Sequence, residues 1–238
     1  MTIDDFDINA EALRQLPLFR QLDAQTVTTI ADAGRALNVA RTARILNRGD
    51  NLDGFYVVFA GSLKMYILSC DGAERILRIL RTGDSFGEAM MFNGFDSPVF
   101  VDALTDSQVA YIPHRLVADV LAQNPVFIES MFRGMSRLLL DFVRDIESCC
   151  LMNAKQRTVA YLLRLAEHRG PHDQQVTLPA SKWVVASMLN LAPETFSREL
   201  HRLQADGLIE IVRRTIHVRD MTGLMEIVDG AAAVSVAT

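Results

Sequence analysis

Glu194, Ser197 and Arg198 stand at helical spacing in the segment PETFSR, Pro193–Arg198. Together they offer a carboxylate acceptor, a hydroxyl and a planar fork of donors. A guanidinium can pair bidentately with O6 and N7 of guanine, a carboxylate can accept from a cytosine amine, and a hydroxyl can serve either a base or a phosphate. That chemistry needs all three groups on one helical face. Phe196, Leu200 and Leu203 fall at i, i+4 and i+7 and take the buried face, which turns Glu194, Ser197, Arg198, His201 and Arg202 outward. Side chains near the start of such a helix are the ones a recognition helix presents to the major groove.

The flanking residues supply what would hold this helix in place. Ser181 is an N-cap candidate for a helix Lys182–Met188, because its hydroxyl can accept from an otherwise unpaired backbone N–H. Asn190 suits a tight turn in the left-handed region, and Pro193 suits the first position of the second helix. Ala192 before it is a poor cap. After Gly207, Leu208–Val212 and Thr215–Val218 read as a hairpin wing, with Arg213 and Arg214 in the turn where Asn-Gly would be favoured. Basic residues there make better phosphate contacts than turn formers. The expected backbone contacts are therefore Ser181, Lys182, His201, Arg202, Arg213 and Arg214. The spacing alone also admits two ordinarily packed helices and a hairpin with solvated arginines.

Charge distribution agrees with a local polyanion contact. The 238 residues carry a formal net charge of −5, which argues against indiscriminate coating of nucleic acid. Acidic residues outnumber basic ones up to Ala154, whereas from Lys155 to Asp220 the balance reverses. Asp4, Asp5, Asp7, Glu11 and Asp23 leave no basic start followed by an apolar stretch, so neither export nor membrane insertion is expected, and the location expected is cytoplasmic. Three cysteines, Cys70, Cys149 and Cys150, form neither a bridge framework nor a metal-ligand spacing and read as buried thiols. No triad, metal-spaced cluster or phosphate loop supports an enzyme.

Between Val39 and Tyr111, short runs rich in Val, Ile, Tyr and Phe are punctuated by Gly49, Gly61, Gly72 and Gly83, the pattern of a small antiparallel β-barrel or sandwich. The period then changes. Ile128, Met131, Phe132, Met135, Leu138, Leu139, Phe142, Ile146 and Cys149 recur at three and four residues and predict one long amphipathic helix, Pro125–Leu151. At 1.5 Å per residue it spans roughly 40 Å, more than a small barrel covers, so a second copy of the helix is its simplest partner. The expected dimer interface is Ile128, Met131, Met135, Leu138, Leu139, Phe142 and Ile146. Lys155–His168 reads as a further amphipathic helix, and the tail from Gly230 onward as featureless.

Glycine-punctuated strands, Gly87-Glu88, a long helix and PETFSR, in that order, resemble the CRP/FNR family of bacterial transcription regulators over about Leu16–Asp220. The resemblance implies an α+β fold. A cyclic-nucleotide-binding-like β-roll (double-stranded jelly roll) with N-terminal helices would occupy 1–124, a long dimerisation helix 125–153, and a winged helix-turn-helix domain 154–238. It implies a homodimer on double-stranded DNA, with RNA polymerase as a further partner. Within the family, E-x-x-S-R is similar to the FNR-type reader of TTGAT inverted repeats, and Pro193 stands where the CRP-type reader has an arginine.

The same resemblance shapes the effector expectation. Cyclic-AMP-binding members hold the cyclic phosphate with an Arg-Ser pair, and those places here are Pro98 and Val99, so cyclic AMP is not expected. Met1–Ser69 contains no cysteine, so the iron–sulfur cluster of oxygen-sensing members is not expected either. What remains resembles the Dnr/NnrR-like branch, which implies nitric oxide sensing through noncovalent haem b and control of denitrification genes. An effector pocket of Gly87, Glu88, Met90, Met91 and Phe92 is implied, with the axial ligand open among His114, His168, His172, His201 and His217. The alternative is another effector, or none, with the β-domain serving dimerisation or polymerase contact.

Overall fold

A computed structural model describes residues 8–167, 175–213 and 215–235, and within them two compact units divide between Leu139 and Leu140. Two short helices open the first unit, α1 (Ala10–Gln15) and α2 (Ala24–Ala33). Asn9 and Asp23 cap them, each carboxamide or carboxylate oxygen accepting from a backbone N–H of the first turn. Eight strands follow: β1 (Arg35–Val39), β2 (Arg44–Leu46), β3 (Gly54–Ala60), β4 (Ser62–Leu68), β5 (Glu74–Arg81), β6 (Ser85–Phe86), β7 (Phe100–Ala103) and β8 (Ser107–Pro113). They make two antiparallel sheets in the orders β1-β8-β3-β6 and β2-β7-β4-β5, and a helix α3 (Glu88–Asn93) interrupts them after β6. This is the expected β-roll.

The glycines do what the sequence reading required of them. Gly49, Gly61, Gly72 and Gly83 all have φ between 82° and 92°, a conformation that a Cβ penalises. At Gly61 a Cβ would also lie 2.3 Å from Ser107 Oγ, so both backbone and space demand glycine there.

Alternation along the strands divides the first unit's interior in two. Val58, Leu63, Leu80, Phe86, Val101 and Val109 fill the space between the sheets, whereas Phe55, Val57, Ala110 and Ile112 meet Leu13, Phe19, Val27 and Ile30 of the helical layer. Tyr66, 1% exposed, places a polar head in this apolar setting. Its hydroxyl donates to Asp102 Oδ2 at 2.8 Å and accepts from Arg44, so the burial is satisfied.

Helices α4 (His114–Gln123) and α5 (Pro125–Leu151) follow the roll, the second with the expected bounds. In the second unit come α6 (Ala154–Glu167), β9 (Gln175–Thr177), α7 (Lys182–Met188), α8 (Pro193–Ala205), β10 (Ile209–Val212), β11 (Thr215–Val218) and α9 (Met221–Ser235). A three-stranded sheet, β10-β11-β9, packs its Val176, Ile209, Ile216 and Val218 into one core with Phe196, Leu200 and Leu203. The tail departs from expectation. Helix α9 continues through Ser235, so the small residues after Gly230 are helical, as alanine's low backbone cost favours. Among the described residues no helix is long and apolar enough to cross a membrane.

Candidate nucleic-acid interface

The second unit builds the reading face from its own core outward. Ser181 Oγ accepts from Val184 N at 3.4 Å and starts α7. Asn190 sits at φ 54°, and Leu191 N returns to Ala186 O at 2.9 Å, closing the turn. Pro193 then occupies the first turn of α8, while Ala192 supplies no side-chain cap. Phe196, Leu200 and Leu203 are fully buried, and Glu194, Arg198, His201 and Arg202 are exposed, with Ser197 half-buried between them. The three expected base readers share one open face.

Two residues outside the sequence reading hold that face. Glu199, 4% exposed, places Oε1 2.8 Å from Arg202 Nη1 and 3.8 Å from Arg198 Nε. From beneath the surface it bonds Arg202 and stands close to Arg198, whose Nη2 also reaches Thr195 Oγ1 at 3.4 Å. Arg157 of α6 donates from Nη1 to Leu189 O at 3.0 Å and Asn190 O at 3.2 Å, caring for carbonyls that the end of α7 leaves without helical partners. Its Nε is buried without a hydrogen-bond partner. Only a buried acid within a turn of the arginines could have signalled Glu199 in sequence, and Arg157 has no local signal because its acceptors are more than thirty residues away.

In the wing, Val212 pairs with Thr215 across the strand ends. Arg213 takes φ 57° and is exposed, a left-handed arginine where glycine or asparagine would be relaxed. Arg214, His168 and His172 lie outside the described residues. Arg219 pairs with Glu210 at the base of the wing.

Comparison with known proteins supplies the relationship. The Crp-like helix-turn-helix domain family matches residues 156–227, and the cyclic nucleotide-binding domain family matches residues 36–124. The chain belongs to the CRP/FNR family of DNA-binding transcription regulators. It is 28% identical to an "Anaerobic regulatory protein" of Pasteurella multocida over 79% of this chain and 70% of that one. It is also 28% identical to the "Transcriptional activator protein Anr" of Pseudomonas protegens over 91% and 89%. In fold it matches a mutant of CooA from Carboxydothermus hydrogenoformans with a TM-score of 0.76 at 19% identity, covering 95% of this chain and 98% of the other.

The residues expected to form an effector pocket follow β6, and their side chains do not converge. Gly87 adopts φ 105° and begins α3, and a Cβ on it would press 3.2 Å from Phe55 Cα. Residues that follow one another on a helix point about 100° apart. Met90 therefore enters the core between the sheets, Met91 enters the layer of α1 and α2, and Phe92 stands 44% exposed, edge-on to His114 with centroids 6.0 Å apart. Met90 and Met91 thus belong to two different cores, and Phe92 to neither. Burial pushes the Glu88 carboxyl above its ordinary range, against the opposing pull of the Ser85 hydrogen bond and Arg78. Pro98 is exposed and Val99 buried, with Ser97 Oγ donating to Val99 O at 2.9 Å, so this loop closes on itself.

A cavity of about 700 Å³ opens elsewhere in the first unit, lined among others by Arg35, Leu37, Tyr56, Tyr111, His114 and Arg115. Tyr111 donates to Asp53, and Tyr56 stacks on Phe86 with centroids 4.9 Å apart. His114 is the histidine of the expected set that faces this space. His201 and His217 belong to the second unit.

The long helix α5 also differs from expectation in which face is open. Phe127 and Met131 are buried in the first unit's core, and Ile128, Leu138 and Phe142 are half-buried. The exposed apolar residues are Val126, Phe132 (66%), Met135, Leu139 (65%), Leu140, Val143, Ile146 (64%) and Leu151. Met131, expected at the dimer interface, is thus covered within its own unit, and the open stripe is rotated toward Phe132 and Val143. The cause is that α5 carries two apolar faces, one spent on its own unit, which a single periodicity count merges.

Proposed function

We propose that this regulator binds, as a homodimer, an inverted repeat of FNR-type TTGAT half-sites and controls anaerobic genes together with RNA polymerase in the cytoplasm. The carrying observation is the shared open face of Glu194, Ser197 and Arg198, with Pro193 in the first turn of α8 and Glu199 fixing the arginine from below. Relatives named for anaerobic regulation support the same reading. Flanking cations at Lys182, Arg202 and Arg213 supply phosphate contacts that set register but carry no sequence information. The test is Arg198→Ala, measured by fluorescence anisotropy on duplexes with intact and guanine-substituted half-sites. Operator affinity falls by about 1 to 3 kcal/mol and the guanine preference relaxes. An unchanged affinity removes Arg198 from the reading face.

His114 favours a second reading, in which the effector is nitric oxide and the cofactor haem b. The lining offers an imidazole that could ligate iron, Leu37, Leu52 and Pro113 with two tyrosine rings as walls, and Arg35 and Arg115 that could meet carboxylate side chains, alongside the polar Asn51 and Asp53. When bound, the iron would supply the open position that takes a diatomic gas. Haem titration followed by absorption spectroscopy tests this. A spectrum of histidine-ligated haem that is lost in His114→Ala supports it, and a spectrum of unbound haem in the wild type refutes it.

A further inference from the structure

Helix α5 ends in two adjacent cysteines, and the exposed stripe runs into them. Leu139, Val143, Ile146 and Cys150 follow one another at spacings of four, three and four, the heptad seam of a two-stranded coiled coil, and Phe132 lies one heptad before Leu139. All five are exposed. Cys149 is half-buried and lies about 100° round the helix from its neighbour. Held in a regular helix, the two side chains point away from each other, and consecutive Cα atoms 3.8 Å apart lie below the usual disulfide span of about 4.4 to 6.8 Å. Neither is in a disulfide within the chain.

The occupant of this stripe is a second copy of the chain. Two recognition helices must dock on one face of DNA about one helical turn apart. Both reading units follow α5 at its C-terminal end, so the paired helices run parallel and a two-fold axis sets equal residue numbers opposite each other. Interaxial distances of about 8 to 10 Å, less two Cα radii of about 2.3 Å, leave roughly 3.5 to 5.5 Å between facing Cα atoms. That range overlaps the 4.4 to 6.8 Å that a disulfide spans.

We infer that Cys150 is an intersubunit disulfide site: a hydroperoxide joins the two Cys150 thiols of a dimer and locks it covalently, four residues before α6 begins. The step balances as two thiols and one hydrogen peroxide giving one disulfide and two waters. The two thiol sulfurs lose two electrons and the peroxide O–O bond accepts them. The inference rests on the dimer reading. It also departs from the sequence expectation that all three cysteines are buried thiols, since Cys70 and Cys150 are exposed.

The full chain is first reduced, freed of reductant without air, and sedimented. A dimer is expected, and a monomer overturns the dimer reading and the inference with it. One equivalent of hydrogen peroxide is then added, the reaction stopped with N-ethylmaleimide, and the products separated on a non-reducing gel. Wild type, Cys149→Ser and Cys70→Ser form the covalent dimer, and Cys150→Ser forms it at least ten-fold more slowly. The wild-type rate constant stays unchanged over a ten-fold range of protein concentration, as a reaction inside a preformed dimer requires. Cross-linking of Cys150→Ser at the wild-type rate overturns the inference and leaves the dimer intact. So does a sedimenting dimer that peroxide fails to cross-link, or a rate that rises with protein concentration. Oxidised wild type further retains operator binding on dilution to concentrations at which the reduced dimer dissociates.

Discussion

Replacing Glu199 by glutamine separates the orientation of Arg198 from its mere presence. The carboxylate stands 2.8 Å from Arg202 Nη1 and 3.8 Å from Arg198 Nε. At 2.8 Å the gross attraction is about 1.5 kcal/mol in water and about 6 kcal/mol at an effective dielectric constant of 20. The guanidiniums are 60% and 56% exposed, so the weaker limit applies and each pair contributes less than about 1 kcal/mol net. Glutamine keeps the shape and one acceptor, so folding loses about 1 kcal/mol or less. The larger effect falls on DNA. Arg198 keeps its 3.4 Å contact to Thr195 but faces a neutral amide in place of a carboxylate, and ordering a loosened long side chain on binding costs about 0.5 to 1.5 kcal/mol. That is about a 2- to 12-fold loss on the operator. Removing a negative charge beside the phosphates acts the opposite way on every duplex, so binding to a scrambled sequence rises. Fluorescence anisotropy on operator and scrambled duplexes at one salt concentration reads both. The operator-to-scrambled ratio falls although no base contact has been removed, and an unchanged ratio refutes the positioning role of Glu199.

Other perturbations have definite signs. Arg213→Gly relieves a left-handed arginine, which stabilises by roughly 1 to 2 kcal/mol, less the roughly 0.5 to 1 kcal/mol of added chain entropy. Thermal unfolding therefore shows a small gain, while the salt slope of DNA binding drops by about one if Arg213 meets a phosphate. Leu139→Glu buries charge in the seam and converts the dimer to monomer by sedimentation, and retention of the dimer would move the interface elsewhere. Glu88 has a folded pKa above its ordinary 4.5, so its charged form opposes folding at neutral pH, and that penalty fades as pH falls through the folded value toward 4.5. Glu88→Gln consequently raises Tm at pH 7 and leaves it unchanged near pH 4. Tyr66, pushed up to about 12 by burial and by its bond to Asp102, contributes stability that is present below pH 10 and is lost as pH rises toward 12. Tyr66→Phe flattens that alkaline decline in denaturant titrations.

The parts of this fold legible in sequence are those governed by near neighbours. Gly61, Asn190 and Pro193 declare their backbone conformations directly, and α5 declares itself by twenty-seven residues of sustained period. The parts that escaped depend on what packs from afar. Glu199 looks like one more wet charge on α8 and is buried instead, tolerable because Arg202 lies one turn on to accompany it. Helix α3 is six residues between two left-handed glycines, too short for a period to emerge, so Met90 and Met91 read as one apolar pair when they belong to separate cores. The α5 seam was shifted for a related reason: Met131 and Leu139 share a periodicity but not a partner.

Arg157 makes the reading unit behave as one body. Its guanidinium ties the first turns of α6 to the end of α7, and the turn at Asn190 ties α7 to α8, so the recognition helix cannot tilt alone without breaking two charge-assisted bonds. Only Met152 and Asn153 separate α5 from α6, and Asn153 and Gln156 cap each other's backbone N–H across that junction. Arg164 Nη1 of α6 also meets Asp145 Oδ1 of α5 at 3.2 Å, so side chains as well as the two linking residues join the end of the long helix to the recognition helix within one compact unit.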